Sequence, residues 1–215
     1  FFSISLNDLQ KWETIEREPL CKEINSYKIC GFPPPTSGGI GLIQIISILN
    51  YKKKLIDKKD FHLPKHLFIE ASRLAYQDRK LYIADPLFFA VPTKELISDK
   101  YLKFRSDLIN NNKSIPNFKP GNLKNIKDKK IIIGNSFEKK STTHISIVDK
   151  DGNAVALTSS IEFAFGSGIT VGGFFLNNQL TDFSFFNKAP EGHLIANRVE
   201  PNKRPRSSMS PTLIF

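Results

Sequence analysis

Thr142-Thr143-His144 opens a strand-like run, Thr143 to Val148, directly after a lysine-rich stretch ending Lys139-Lys140-Ser141. A threonine hydroxyl is a weak nucleophile, and the residue's own α-amine is one base that activates it. That amine exists only if the chain is cut between Ser141 and Thr142. A threonine at a strand start, behind a loop open to cutting, therefore suits a nucleophile unmasked by cleavage. Ser/Thr pairs also open many ordinary strands, so spacing alone leaves a structural reading standing. His144 is read as structural, turned to the strand face opposite the nucleophile. Glu70, Asp78 and Arg79 stand at helical spacing and read as a salt-bridged packing cluster. Gly38-Gly39 lacks the P-loop pattern that would make it a phosphate cradle.

The elements that must position these groups follow from hydrophobic period and turn chemistry. Residues 6–12 read as a short helix opened by Asn7 or Asp8. Strands over 19–24 and 27–32 flank a turn at Asn25-Ser26, and Pro33-Pro34-Pro35 then stiffens a loop that regular structure cannot enter. Ile40, Ile43, Ile46 and Leu49 form an apolar face at helical spacing, with Ser37 as the N-cap. A longer helix is predicted from about Pro64 to Ile83, and a third over Thr93 to Asn110. Residues 111–141 read as an exposed, lysine-rich linker. From Thr143 the pattern turns to strands: Thr143–Val148, an Asp151-Gly152-Asn153 turn, and Ala154–Ser159, a strong hairpin signal.

Composition narrows the classes. The 215 residues are enough for one domain with a sizeable core, at 40% hydrophobic and 24% charged. Six basic and six acidic residues lie from Thr142 onward, so 25 of 31 Lys/Arg and 15 of 21 Asp/Glu precede it and carry the whole +10 excess. The lysines cluster at Lys52-Lys53-Lys54, Lys58-Lys59 and Lys124 to Lys140, without interleaved aromatics or a nucleic-acid module, which makes them solvated surface. No run is long enough to span a bilayer as a helix. Cys21 and Cys30 have no zinc-spaced partners; a disulfide fits if their strands pair, and buried free thiols fit equally well. Met209 is the one methionine, so the chain is expected to be part of a longer precursor.

Six motifs stand in order: Pro33-Pro34-Pro35-Thr36-Ser37-Gly38-Gly39; Glu70-Ala71 with Ala75-Tyr76-Gln77-Asp78-Arg79; Asp85-Pro86; Thr142-Thr143-His144 with Ser146-Ile147-Val148-Asp149; Leu176-Asn177-Asn178-Gln179 with Asp182-Phe183; and Pro201 to Pro211, PNKRPRSSMSP. Together they resemble the γ-glutamyltransferase (γ-glutamyltranspeptidase) family of N-terminal nucleophile hydrolases, over essentially the whole chain. The resemblance implies an α+β fold, a stacked αββα sandwich of which this chain is an incomplete part. It implies a precursor that cleaves itself between Ser141 and Thr142. Residues 1–141 would then end a large subunit, and residues 142–215 would begin a small one.

Site roles are implied in the same way. Thr142 is the nucleophile. Ser160 stands where the family has a threonine beside it, and keeps the hydroxyl. Gln179 and Asp182 match positions that hold the substrate's α-amino group, and Ser207 and Ser208 match the pair that binds its α-carboxylate. Glu162 departs from the pattern, since asparagine often stands there; its carboxylate suits an α-ammonium and repels an α-carboxylate. The expected substrates are glutathione or another γ-glutamyl compound, with water or an amino acid or dipeptide as acceptor. No cofactor, no metal and no nucleic acid are implied, and the setting is periplasmic or extracellular. An arginine gripping the carboxylate and a glycine pair forming the oxyanion hole are expected outside this chain. The alternatives are a cephalosporin-type acylase, against which Asp182 argues, and a non-catalytic homologue.

Overall fold

Leu20–Ile24 (β1) and Tyr27–Gly31 (β2) pair antiparallel in register Cys21↔Cys30 and Ile24↔Tyr27, with Asn25 at φ 57° in the turn. Asparagine tolerates that left-handed backbone better than most residues. The cross-strand cysteines form a disulfide, which resolves the open choice against free thiols. The computed structural model describes residues 4–53, 62–123, 131–134, 141–186 and 192–215. Before the hairpin, Leu6–Gln10 (α1) is capped by Ser5 in a reciprocal box with Asp8, ahead of the expected start at Asn7 or Asp8. Thr212–Ile214 (β9) adds to β2 on the other side, giving an antiparallel sheet of order β1-β2-β9.

Gly38–Lys52 (α2) and His62–Tyr82 (α3) carry the core. On α3 the buried positions are Leu67, Glu70, Ala71, Leu74, Ala75, Asp78, Arg79 and Tyr82, a stripe recurring every three or four residues. On α2 the fully buried positions include Ile40, Ile43, Gln44, Ser47 and Ile48, so the stripe sits slightly off the expected Ile46 and Leu49. The reason is polar: Gln44 donates to Asp78 Oδ2 at 3.2 Å and to the Leu96 carbonyl at 3.0 Å. Ser37 does occupy the N-cap position of α2, but its hydroxyl makes no cap bond; it serves the loop described below. Side chains at Gly38 and Gly39 would strike the Met209 carbonyl (2.2 Å) and the Phe32 carbonyl (2.4 Å), so this helix start admits only glycine.

The expected third helix is broken in two, Thr93–Leu96 (α4) and Asp99–Asp107 (α5). Ser98 makes the break, accepting from Tyr101 N as an N-cap while donating to the Glu95 carbonyl. The helices meet at a buried polar hub. Asp78, 1% exposed, accepts from Tyr101 Oη (2.8 Å), Gly121 N (2.8 Å) and Gln44, and pairs with Arg105 at 3.1 Å. Burial pushes the Asp78 carboxyl above its ordinary range, with the Arg105 guanidinium foremost among the influences pulling it back. Glu70 instead pairs with Arg73 and accepts from Ile115 N, and Arg79 reaches elsewhere, so the expected Glu70–Asp78–Arg79 cluster is three separate contacts.

Residues 111–123 are an anchored strap more than a free linker. Phe118 lies under the Arg73 guanidinium at 3.6 Å, Lys119 O accepts from Arg105, and Gly121 joins the hub. Ile131–Ile132 (β3) pairs in parallel with Leu194–Ile195 (β8). Residues 124–130 and 135–140, which hold most of the lysine run, lie outside the described residues, as do Lys58-Lys59 and residues 187–191 of the Pro-rich loop. Thr143–Val148 (β4) and Ala154–Ser159 (β5) form the expected hairpin, paired Thr143↔Ser159 through Val148↔Ala154. Two short strands follow, Thr170–Val171 (β6) and Phe174–Phe175 (β7). Ile145, Ile147, Val155 and Leu157 leave one apolar hairpin face exposed, the kind of face that a second layer covers in a sandwich. No helix among the described residues is long and apolar enough to cross a membrane.

Candidate active site

The register of the β4–β5 hairpin, carried one step beyond Thr143↔Ser159, sets Thr142 opposite Ser160. Their hydroxyls touch: Thr142 Oγ1 donates to Ser160 Oγ at 3.1 Å, and Ser160 Oγ donates to the Ser141 carbonyl at 3.1 Å. Glu162 N donates to the same Ser160 oxygen at 3.0 Å. A hydroxyl has one proton to give and two lone pairs to accept with, so these three bonds use all of Ser160. The chain of donors runs from the threonine hydroxyl to the carbonyl oxygen of the peptide bond before it. Such a chain polarises that carbonyl and can carry a proton away from the threonine oxygen.

Glu162 is 5% exposed and sits at φ 72°, a backbone region that costs a non-glycine residue roughly 1–3 kcal/mol. Asn178 holds it there: its side-chain amide donates to the Glu162 carboxylate while its Oδ1 accepts from Phe163 N at 2.9 Å. Directly after Asn178 comes the 3-10 turn Gln179–Asp182, where the Asp182 carbonyl accepts from Asn197 Nδ2 at 2.7 Å. Across the cleft, the Ser207 carbonyl accepts from Ser37 N (2.9 Å) and Ser37 Oγ (2.8 Å), and Thr36 Oγ1 donates to the Met209 carbonyl at 2.9 Å. Those bonds fix the serine loop to the end of the proline loop.

One cleft of about 630 Å³ is lined by Ser141, Thr142, Ser160, Glu162, Gln179, Asp182, Ser207 and Ser208. All the residues to which the resemblance gives a site role thus share one space. A second hollow of about 350 Å³ adjoins it through Gln179, Asp182, Ser207 and Met209, with Arg17 and Arg204 on its walls. Two placements correct the sequence reading. His144 lines the first cleft beside Thr142, with Nδ1 2.7 Å from Thr158 Oγ1 and Nε2 3.0 Å from Ser146 Oγ. Positions 142 and 144 are two apart, and alternate residues of a strand share a face. Arg79, read as packing, donates from Nε to Ser37 Oγ at 2.7 Å and from Nη2 to Ser208 Oγ at 2.8 Å. Asn178 stands in the Leu176–Gln179 motif without a role of its own there; its position directly before Gln179 is the signal that it belongs to the site.

The family model described as gamma-glutamyltranspeptidase matches residues 3–215. The glutathione hydrolase proenzyme of Escherichia coli K12 is 39% identical over 98% of this chain and 36% of its own length. The chain thus spans about a third of the length of the curated relatives it matches. Among solved structures, the cephalosporin acylase of Bacillus halodurans superposes with a TM-score of 0.75 at 23% identity, over 99% of this chain and 34% of that one, a likeness of fold. The γ-glutamyltranspeptidase of Helicobacter pylori superposes with a TM-score of 0.51 at 31% identity, over 57% and 36%. The fold is accordingly the α+β architecture of the N-terminal nucleophile hydrolases, and the chain belongs to the γ-glutamyltranspeptidase family.

Proposed function

We propose that this chain holds the self-cleavage junction and the donor site of a γ-glutamyl-transferring enzyme. The observation that carries the reading is the hydroxyl chain from Thr142 through Ser160 to the Ser141 carbonyl, opening into the cleft of Asp182, Gln179, Ser207 and Ser208. Thr142 Oγ1 attacks the Ser141 carbonyl carbon; the C–N bond breaks and its nitrogen takes the proton, leaving an ester. Water opens that ester to a Ser141 carboxylate and a Thr142 with a free α-amine. Residues 1–141 become the end of one subunit and residues 142–215 the start of the other. The amine, basic near pH 8 as α-amines are, takes the hydroxyl proton in the next attack. That attack falls on the γ-carbonyl of glutathione or a similar donor, and the amine product leaves with the proton. The γ-glutamyl ester on Thr142 then passes to water or to an amino acid or peptide amine. Asp182 and Gln179 would hold the donor's ammonium, and Ser207 and Ser208 its carboxylate. The Cys21–Cys30 disulfide supports an oxidising setting outside the cytoplasm.

N-terminal sequencing and intact mass of the full-length polypeptide test this directly. A small subunit beginning Thr-Thr-His, absent in Thr142→Ala, with γ-glutamyl p-nitroanilide turned over only by the cleaved form, is the expected result. A folded chain that stays uncut overturns the reading. Cephalosporin side-chain release without γ-glutamyl release would move it to the acylase branch.

A further inference from the structure

Arg79 is the cation built into the back of the serine loop. It is 7% exposed on α3, and its guanidinium spans Ser37 Oγ at 2.7 Å and Ser208 Oγ at 2.8 Å. Its own carbonyl accepts from Arg206 Nη1 at 3.1 Å, so the loop is tied to one helical turn at both 206 and 208. A guanidinium only donates, so in its bond to Ser208 the serine oxygen is the acceptor and the serine proton turns away from Arg79. Ser208 is exposed and lines the cleft. Ser37, the other partner, donates to the Ser207 carbonyl at 2.8 Å, so both serines take their position from the same cation. A buried positive charge one hydroxyl behind the cleft also favours an anion in front of it.

We infer that Arg79 is a positioning residue that acts through Ser208 to set the site's demand for a donor α-carboxylate. This rests on the γ-glutamyl reading above. Lysine keeps the charge but not the planar fork that reaches two hydroxyls at once, so Arg79→Lys separates positioning from net charge.

The test uses the processed full-length enzyme, with Arg79→Lys, Arg79→Gln, Ser208→Ala and the double Arg79→Lys/Ser208→Ala. Two donors are compared, γ-glutamyl p-nitroanilide and 4-aminobutyryl p-nitroanilide, which differ only in the α-carboxylate. Arg79→Lys is expected to raise KM for the γ-glutamyl donor about tenfold with kcat within about twofold, and to leave the 4-aminobutyryl donor within about twofold. Arg79→Gln is expected to do the same or more. Ser208→Ala lowers the same preference, and the double variant goes no lower than the single. The KM shift and that coupling decide the matter even where the 4-aminobutyryl donor turns over too slowly to time. Parallel loss on both donors, additive effects in the double variant, or two Arg79 variants that neither fold nor self-cleave would each overturn the inference and assign Arg79 to the scaffold. A wild-type enzyme that releases nothing from the γ-glutamyl donor sinks the donor reading, and this inference with it, before any Arg79 variant is made.

Discussion

Thr142 and Ser160 are separated by 18 residues and meet because one hairpin register sums them opposite each other. In the proposed self-cleavage, Ser160 is the residue on which the step would turn. Its hydroxyl is the donor to the Ser141 carbonyl, where negative charge would grow in the proposed attack by Thr142. Removing one such donor costs about a hundredfold in rate. Ser160→Ala is therefore expected to lengthen the half-time of small-subunit appearance by about that factor, followed by mass spectrometry, whereas Ser160→Thr keeps the hydroxyl and the rate. An unchanged half-time in Ser160→Ala would remove Ser160 from the cleavage step. At this scale residue type was readable and residue partner was not. Arg79 was legible as a helical cation, but nothing local says that it bridges to Ser37 and Ser208, 42 and 129 positions away. His144 was misplaced by a parity error that the two-residue period of a strand corrects.

Elements with strong local signals appear as expected: the Asn25-Ser26 hairpin, the Asp-Gly hairpin of β4 and β5, and helices α2 and α3. The α4–α5 break went unread because the apolar period continues across it, and only the Ser98 cap marks the stop. The β1–β2 hairpin positions the site at one remove, since β2 runs into the proline loop that bonds Ser207. Its disulfide closes a short loop, with Cys21 and Cys30 nine positions apart, for which chain entropy gives about 2–3 kcal/mol. Replacing both cysteines by serine is expected to lower unfolding stability by about that amount, read as a shift in urea midpoint at constant slope. No shift, with the wild-type disulfide verified by mass, would mean that the hairpin is already held by β9 and its turn.

At the scale of the whole molecule, the Asp78 hub joins α2, α3, α5 and the 111–123 strap through Gln44, Tyr101, Arg105 and Gly121. Arg105 is 2% exposed, so Asp78→Asn leaves a buried guanidinium without its counter-ion. Breaking a buried pair from one side costs about 3–5 kcal/mol, and chemical denaturation of Asp78→Asn is expected to show a loss in that range. A loss under about 1 kcal/mol would mean that water or the neighbouring carbonyls already compensate Arg105. By itself the sequence determined the family motifs, the candidate nucleophile and the hairpins and helices around it, because each is set by residue types within a few positions of one another. Only the tertiary structure decided that Arg79 backs the serine loop, that Asp78 pairs with Arg105 and not with Arg79, that residues 111–123 are a packed strap, and that the cysteines are joined. Those outcomes depend on which distant groups share a buried space, where a donor must find an acceptor whatever its separation along the chain.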